Sequence, residues 1–271
     1  MNSTPSATRL IWCRVDQAPD TVLAATVEGL SPEDRERAQR FRRDPDRRAF
    51  LAGRLLVRTA LDGLALCGTL AAAPGRKPWL EGGAGASMPD LSLSHSGGWA
   101  ALAIGGADAV GVDVEPDDRA VDVLAVAPRV VGRDELARLE AMPPDRRQER
   151  FLAGWTVREA WAKALGRGLS ADLSLISLDA AGRTIQAPER EDWTLALFRP
   201  EPGLLLALAL HHPGGPAPEL LASRLSWSEG ESRLDHVPMS PVAWSRSATT
   251  GRRVRPLSAS SASTTADEDW T

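Results

Sequence analysis

The chain has 271 residues, of which 43% are hydrophobic and 25% charged, and its formal net charge at pH 7 is −4. This composition is typical of a globular protein, and the nearly balanced charge excludes a general attraction to nucleic acid or to an anionic membrane. Residues 1–9 lack the apolar core of a signal peptide, and the longest apolar runs are too short to span a bilayer. Cys13 and Cys67 show no metal-ligand or redox spacing. We therefore expect a cytoplasmic protein with reduced thiols, no membrane partner and no nucleic-acid partner.

The first hundred or so residues predict a strand, two helices and a pair of closing strands. The apolar stretch 10–15 predicts the strand. Ser31 followed by Pro32 marks a helix start, because serine caps helix N termini and proline fits the first turn. A longer helix contains the sequence Phe-Leu-Ala-Gly at 50–53. Two apolar strands joined by Gly97-Gly98 complete this part of the chain.

The same unit recurs at an offset of roughly 100 residues. Phe-Leu-Ala-Gly returns at 151–154, again after an Asp-Arg-Arg sequence, and the apolar runs 110–115 and 204–210 match 10–15 and 99–104. An ordered series of matches at one offset indicates a duplicated unit. The predicted fold class is α+β, with two similar subdomains related by a pseudo-twofold axis, each a small antiparallel sheet packed on helices. Because such a chain supplies its own partner half, we expect a monomer.

The predicted N-terminal half spans residues 1–108 and the C-terminal half spans 109–212. After them, the Pro-Gly-Gly-Pro sequence at 213–216 breaks regular structure, and Ser, Thr, Ala and Arg dominate from residue 240 onward. We predict a linker and a largely disordered tail over 213–271, with room for a short peripheral element at 219–237. The Ala- and Gly-rich stretch 82–87 predicts a surface loop.

Two acidic residues alternate within the apolar run Val110–Glu115. The valines at 110, 112 and 114 face one side of a strand, whereas Gly111, Asp113 and Glu115 share the other. The two carboxylates lie roughly 7 Å apart at their Cα atoms, so a cation could sit between their oxygens. Gly111 would let a ligand approach the backbone, and Pro116 would end the strand. Taken alone, the pattern is better explained as an exposed acidic strand face.

A predicted helix carries a third carboxylate. Trp155, Glu159 and Lys163 are spaced by four residues and therefore share one helix face. Three converging carboxylates would form a hard-cation site of the kind that handles pyrophosphate. The alternatives are a surface ion pair between Glu159 and Lys163 and core packing for Trp155. We adopt core packing for Trp161, and Gly166 predicts a left-handed helix end.

Three sequence blocks occur in a fixed order: Leu93-Ser94-His95-Ser96-Gly97, then Gly111–Glu115, then Phe151–Leu169. In this order they resemble the 4′-phosphopantetheinyl transferases of the surfactin type, with smaller likenesses at 53–58 and 75–78. The resemblance covers about residues 10–210. It implies the two-fold-repeated α+β fold of that family. It also implies an enzyme that transfers 4′-phosphopantetheine from coenzyme A to a serine of an acyl or peptidyl carrier protein, releasing adenosine 3′,5′-bisphosphate.

The resemblance also implies roles for individual residues. Asp113, Glu115 and Glu159 would bind Mg²⁺ as the cofactor. The catalytic residues would be Glu159, as general base for the serine, and Lys163, which would stabilise the pyrophosphate or the leaving group. The residues implied to contact coenzyme A, the substrate, are Arg43, Arg58, Lys77, Ser94, His95 and Asp113. The alternative for His95 is a purely structural histidine.

One position departs from the family pattern. The residue before Glu159 is usually lysine in this family and here is Arg158. If the side chain only neutralises phosphate, little changes, whereas activity falls if it occupies a pocket shaped for lysine. Arg158 is the one observation that favours a catalytically degenerate module that binds coenzyme A or carrier protein. A metal-dependent phosphohydrolase would explain the carboxylates but neither the 94–96 block nor the duplication.

Overall fold

The computed structural model describes residues 7–73, 76–82, 88–166, 171–188, 192–228 and 231–245. Its α-helices are α1 (Asp20–Glu28), α2 (Pro32–Arg40), α3 (Asp44–Gly63), α4 (Val123–Val126), α5 (Arg133–Glu140) and α6 (Pro144–Leu165). Its strands are β1 (Ala7–Arg14), β2 (Gly68–Ala71), β3 (Trp79–Gly82), β4 (Leu91–Ser96), β5 (Trp99–Ile104), β6 (Ala109–Pro116), β7 (Ser177–Leu178), β8 (Thr184–Gln186), β9 (Trp193–Phe198), β10 (Leu204–His211), β11 (Glu219–Ser228), β12 (Glu231–His236) and β13 (Ala243–Ser245). No helix within these described ranges has the length and apolarity needed to cross a membrane.

Three consecutive strands of each main sheet follow the same order. The first runs β12-β11-β1-β5-β4 and the second runs β6-β10-β9-β13-β8-β7, with β2 and β3 forming a separate hairpin. In the first sheet β5 pairs antiparallel with both β1 and β4, and in the second β10 pairs antiparallel with both β6 and β9. The α+β prediction is confirmed, and the shared order 1-5-4 and 6-10-9 is the arrangement that a duplicated unit produces.

Each sheet packs one face against a long helix and the other face against its partner sheet. Buried leucines of α3 pack on alternate residues of β1 and β5, and α6 packs in the same way on β9 and β10. The remaining faces meet in a core that joins Leu10 and Trp12 to the valines at 110, 112 and 114. Trp161 is 4% exposed and belongs to the core beneath α6, so that prediction is confirmed.

Residues 219–245 correct the predicted linker and tail. β11 pairs parallel with β1 and antiparallel with β12, and β13 inserts between β8 and β9. Strands β11 and β12 occupy the range predicted for a peripheral element, 219–237. The prediction of tail is wrong for β13, and residues from 246 onward lie outside the described part. Strands β12 and β13 are short, and β12 is rich in charge, so neither has the apolar periodicity that marks a strand in a sequence.

The edges of the two sheets meet along a row of side-chain hydrogen bonds between β4 and β6. Alternate oxygens at and just before β4 accept from alternate backbone N–H groups of β6, at a constant offset of 20 residues. The pairs are Asp90 with Val110, Ser92 with Val112 and Ser94 with Val114, at 2.7, 3.1 and 3.3 Å. Side-chain oxygens thus replace the carbonyls of an ordinary ladder and satisfy this edge of β6.

Gly111 lets α6 lie directly on β6. A Cβ atom at this position would overlap the carbonyl oxygen of Ala160 and would lie 2.6 Å from the backbone nitrogen of Ala164. The sequence prediction that Gly111 would admit a ligand to the backbone is therefore replaced by a structural role. The missing side chain admits a helix backbone, which fixes the height of α6 above the strand.

We predict that Gly111→Ala lowers the free energy of unfolding by about 3 kcal/mol or more, at the upper end of the overpacking range, because two helix backbone atoms would have to move. Urea unfolding monitored by circular dichroism measures the change. Gly215→Ala is the matched control, since a Cβ there would meet nothing nearer than the His212 carbonyl oxygen at 3.8 Å. Equal stability of the two variants would show that α6 does not rest on this glycine.

Candidate active site

Asp113 and Glu115 project from β6 toward α6. The strand alternation turns the neighbouring valines into the core between the sheets and leaves both carboxylates on the opposite face. Asp113 is 4% exposed and Glu115 is 5% exposed. The interpretation as an exposed acidic strand face is therefore wrong, because burying two carboxylates is costly unless other groups compensate them.

Asp113 is held by both halves of the molecule. Its Oδ1 accepts from Ser94 Oγ at 2.8 Å and from Lys163 Nζ at 2.6 Å, and Lys163 also donates to Ser94 Oγ at 2.8 Å. The other oxygen, Oδ2, is buried and has no hydrogen-bond partner among the described residues. One carboxylate oxygen is thus available for a further donor or a cation.

Glu115 has three neighbours that favour its charge. Ser96 Oγ donates to Oε2 at 2.5 Å, Arg119 forms an ion pair with Oε1, and Trp155 also lowers the pKa of Glu115. Burial nevertheless raises the pKa of Glu115 above its ordinary value, and the charge of Asp113 raises it further. The cost of burial therefore outweighs the stabilisation that Arg119 and the two hydrogen-bonding neighbours give to the charged form.

Glu159 on α6 completes the cluster. Burial raises the pKa of Glu159, the charges of Asp113 and Glu115 raise it further, and Lys163 opposes them. The charges of Asp113 and Glu115 thus act on Glu159, which is half-buried on α6. The prediction that Asp113 and Glu159 converge is consistent with this coupling.

A cleft of about 520 Å³ opens at this cluster. Its lining comes from the end of β4, from β6 and the turn after it, and from α6. The lining residues that carry polar chemistry are Ser94, His95, Ser96, Asp113, Glu115, Arg119 and Lys163. Elements of both predicted halves thus build one site, because β4 belongs to the first sheet and β6 and α6 belong to the second.

The residues of the cleft fit a divalent cation in chemistry but not in their present arrangement. In the described part of the chain, no group of three His, Cys, Asp or Glu side chains is arranged to hold a metal ion. Lys163 and Arg119 instead neutralise Asp113 and Glu115. The donor set still fits Mg²⁺, because it offers carboxylate oxygens, one of them the unpartnered Oδ2 of Asp113. A bound ion would replace part of the positive charge that these two side chains supply.

His95 lies at the mouth of the cleft. Loss of surrounding water lowers the pKa of His95, although more than a third of the residue is exposed, and Lys163 lowers it further. Asp46 and Asp113 act in the opposite direction. The imidazole is therefore neutral at pH 7 and can donate one hydrogen bond. Asp46 belongs to the first turn of α3, and the exposed Arg43 directly precedes that helix without lining the cleft.

The structure places Lys77 and Arg58 away from the carboxylates. Lys77 donates to the carboxylate of Asp90 and, at 2.8 Å, to the carbonyl oxygen of Val110. It therefore lies beside the Asp90–Val110 pair, which begins the row of hydrogen bonds between β4 and β6. Burial lowers the pKa of Lys77, and Asp90 opposes that shift. Arg58 is exposed on α3 beside Gly29, and it does not line the cleft. Their assignments to coenzyme A remain predictions.

Sequence reasoning missed Ser96, Arg119 and Asp90. Ser96 was quoted within a family block without a role, yet it donates to Glu115. Arg119 lies four residues after Glu115, and Asp90 precedes β4 by one residue. The oxygen-bearing residues at 90, 92, 94 and 96 alternate with a period of two, which could have indicated Asp90 and Ser96 but not Arg119.

The comparisons with known proteins agree with this geometry. A family model described as the 4′-phosphopantetheinyl transferase superfamily matches residues 109–203. A 4′-phosphopantetheinyl transferase of Bacillus subtilis is 28% identical over 204 residues, which cover 72% of this chain and 86% of the relative. The transferase psf-1 of Bacillus pumilus is 32% identical over 178 residues, covering 61% of this chain and 73% of the relative. The chain belongs to the 4′-phosphopantetheinyl transferase family. A further member, HetI of Nostoc sp., is 30% identical over 169 residues, covering 59% of this chain and 69% of the relative.

Arg158, the residue that departs from the transferase pattern, does not face the cleft. It is fully buried, and its Nη2 donates to Glu135 Oε2 at 2.5 Å while its Nε donates to the carbonyl oxygen of Leu173 at 3.1 Å. Arg158 Nη1 and Glu135 Oε1 have no hydrogen-bond partner among the described residues. The guanidinium therefore joins α6 to α5 rather than neutralising a ligand in the cleft.

We predict that Glu135→Gln lowers the free energy of unfolding by about 3 to 5 kcal/mol, because it leaves the Arg158 charge buried without its counter-ion. Urea unfolding at pH 7 measures the loss. Glu36→Gln is the control, since the pair of Glu36 with Arg40 is exposed and is worth at most about 0.5 kcal/mol. A loss of similar size in both variants would show that the buried pair contributes nothing particular.

Proposed function

We propose that this enzyme transfers 4′-phosphopantetheine from coenzyme A to a serine of an acyl or peptidyl carrier protein, with Mg²⁺ as cofactor and adenosine 3′,5′-bisphosphate as the second product. The observation that carries the proposal is the pair of buried carboxylates Asp113 and Glu115 beside Lys163, in one cleft with Ser94 and His95. Glu159 does not line this cleft, but it lies on α6 where the charges of Asp113 and Glu115 raise its pKa. In the reaction, the serine oxygen forms a bond to the phosphorus next to pantetheine, and the bond from that phosphorus to the bridging pyrophosphate oxygen breaks.

Glu159 is the proposed general base. A serine hydroxyl is a weak nucleophile at neutral pH and needs a base within hydrogen-bond reach. The pKa of Glu159 is raised by burial and by the two neighbouring carboxylates, which makes it a stronger base than an exposed glutamate. The proton of the serine would pass to this carboxylate as the new O–P bond forms.

Lys163 is the proposed stabiliser of the leaving group. Negative charge grows on the bridging oxygen as the bond to phosphorus breaks, and a fixed cation close to it lowers the barrier. Lys163 is held over the cleft by Asp113 and Ser94. A magnesium ion held by Asp113, Glu115 and Glu159 would supply further positive charge at the pyrophosphate.

The remaining proposed contacts are with the phosphates of coenzyme A. His95 would donate a hydrogen bond to the phosphates, since the neutral imidazole keeps one N–H. Ser94 would also donate to a phosphate only by releasing Asp113, which now accepts its one hydroxyl proton. Arg43, which does not line the cleft, would contact the more distant phosphate of coenzyme A according to the family pattern. Arg58 and Lys77 remain proposed contacts from the family pattern alone, and Lys77 would first have to leave Asp90.

The surroundings of Arg158 argue against a catalytically degenerate binding module. That reading rested on arginine in place of the usual lysine, and the arginine is buried against Glu135. Its charge therefore has little influence on the cleft. The proposal further includes a cytoplasmic monomer whose halves meet at residues 108 and 109, consistent with the strand order of the two sheets.

We predict that Glu159→Gln slows transfer by about 100- to 10 000-fold, the range that a general base contributes. The test is to incubate the protein with coenzyme A, Mg²⁺ and a panel of apo-carrier proteins and to follow the pantetheinyl adduct by mass spectrometry. The free energy of unfolding of this variant is expected not to fall, because the substitution removes a charge that Asp113 and Glu115 repel.

Glu140→Gln is the matched control, because Glu140 is an exposed glutamate on the neighbouring helix α5 and does not line the cleft. It should transfer at the unmodified rate. Near-normal transfer by a folded Glu159→Gln variant would remove the proposed base. Binding of coenzyme A without transfer to any carrier by the unmodified protein would favour the binding module instead.

We predict that Lys163→Ala lowers kcat by about 100-fold or more, with a smaller effect on the KM for coenzyme A, because its charge acts mainly as the leaving group departs. Steady-state kinetics with one apo-carrier separates the two parameters. Lys163→Arg should recover part of kcat, since it keeps the charge. A raised KM with unchanged kcat would mean that Lys163 only binds the ground state.

A further inference from the structure

A second concave surface, the arginine groove, lies away from the carboxylate cleft. It has a volume of about 540 Å³ and is formed by the start of α6, the turn between β7 and β8, the end of β9 and the approach to β13. It shares no lining residue with the cleft. The lining is Met142, Pro143, Arg146, Glu149, Arg150, Ala153, Leu178, Ala180, Ala181, Gly182, Arg183, Leu197, Arg199 and Val242.

The groove is strongly basic in a protein that is acidic overall. Four arginines line it, at positions 146, 150, 183 and 199, whereas Glu149 is the one acidic lining residue. Glu149 is shared between Arg146 at 3.8 Å and Arg199 at 3.1 Å, and Arg199 also binds Asp117. Arg150 is partly buried and donates to the carbonyl oxygen of Asp179. The groove therefore carries more positive charge than its own carboxylate neutralises.

An acidic segment with an aromatic residue occurs in the same chain. The sequence Asp267-Glu268-Asp269-Trp270 follows a stretch from 246 to 266 that contains no acidic residue. Three carboxylates match the excess charge of the groove. The apolar part of the lining, which includes Met142, Leu178 and Val242, offers a surface on which an indole ring can pack.

The chain passes through the groove shortly before this segment. Val242 lines the groove, and its backbone N–H donates to the carbonyl oxygen of Leu197 at 2.8 Å. Ser245 ends β13 three residues later, and 21 residues lie between it and Asp267. That stretch spans up to about 75 Å when extended, so the acidic segment can reach back to the groove. Tethering would hold it at an effective concentration on the order of 1 mM.

We propose that residues 267–270 dock in the arginine groove of the same chain. The carboxylates pair with Arg146, Arg183 and their neighbours at the rim, and the Trp270 ring packs on the apolar floor. The docked segment keeps other acidic ligands out of the groove and holds the chain across the edge of the second sheet. This inference does not depend on the proposed transferase reaction, because the groove and the cleft have separate linings.

The test places a photoreactive side chain at the end of the segment, as Trp270→p-benzoylphenylalanine in the full chain. After irradiation, proteolysis and mass spectrometry identify the crosslinked residues. We expect crosslinks within one chain to 142–153, 178–183 or 242. Their yield should be independent of protein concentration and should fall in high salt, which screens the ion pairs.

Two further variants decide whether charge directs the docking. Arg183→Ala should lower the yield of groove crosslinks about fivefold, which is the effect of losing one partly desolvated ion pair. The triple variant Asp267→Asn, Glu268→Gln and Asp269→Asn, which neutralises the segment, should lower that yield at least as much. Arg233→Ala is the matched control, since Arg233 is an exposed arginine on β12 in the other sheet. Crosslinks mainly elsewhere, crosslinks between chains, no crosslinks, or a groove yield that these charge changes leave unaltered would each overturn the proposal.

Discussion

The contact of α6 with β6 across Gly111 is the constraint on which the site depends. The strand presents Asp113 and Glu115 on one face, and the helix can bring Glu159 and Lys163 over them only because no side chain separates the two backbones at Gly111. A helix held farther away would leave two buried carboxylates without the Lys163 ammonium. The backbone packing therefore decides both the stability of the carboxylates and their chemistry.

The buried carboxylates of the site are only partly compensated by neighbouring positive charge. Burial and mutual repulsion raise the pKa of Glu115 and of Glu159, while Lys163 and Arg119 supply the compensating charge. An unpartnered oxygen of Asp113 remains. Such an arrangement favours any ligand that brings positive charge to the carboxylates, and it keeps Glu159 basic. Function and local instability thus have the same physical origin.

Duplication explains why this asymmetric site lies where two similar units meet. The opening strand of the second unit meets an edge strand of the first through the side chains of Asp90, Ser92 and Ser94 rather than through a backbone ladder. Because side chains make these bonds, the edge can carry residues that also reach the cleft. Ser94 does both, since it accepts from Val114 and donates to Asp113.

The sequence by itself determined the α+β class, the repeated unit, the shared face of Asp113 and Glu115, and the helix face of Glu159 and Lys163, because periodicity depends only on neighbouring residues. Only the tertiary structure decided that Gly111 admits α6, that Arg158 is buried against Glu135, and that residues 219–245 complete both sheets. Each of these depends on contacts between segments distant in the chain, such as Arg158 with Glu135 and β11 with β1. Local pattern carries no information about such partners, and the packing of whole elements selects them.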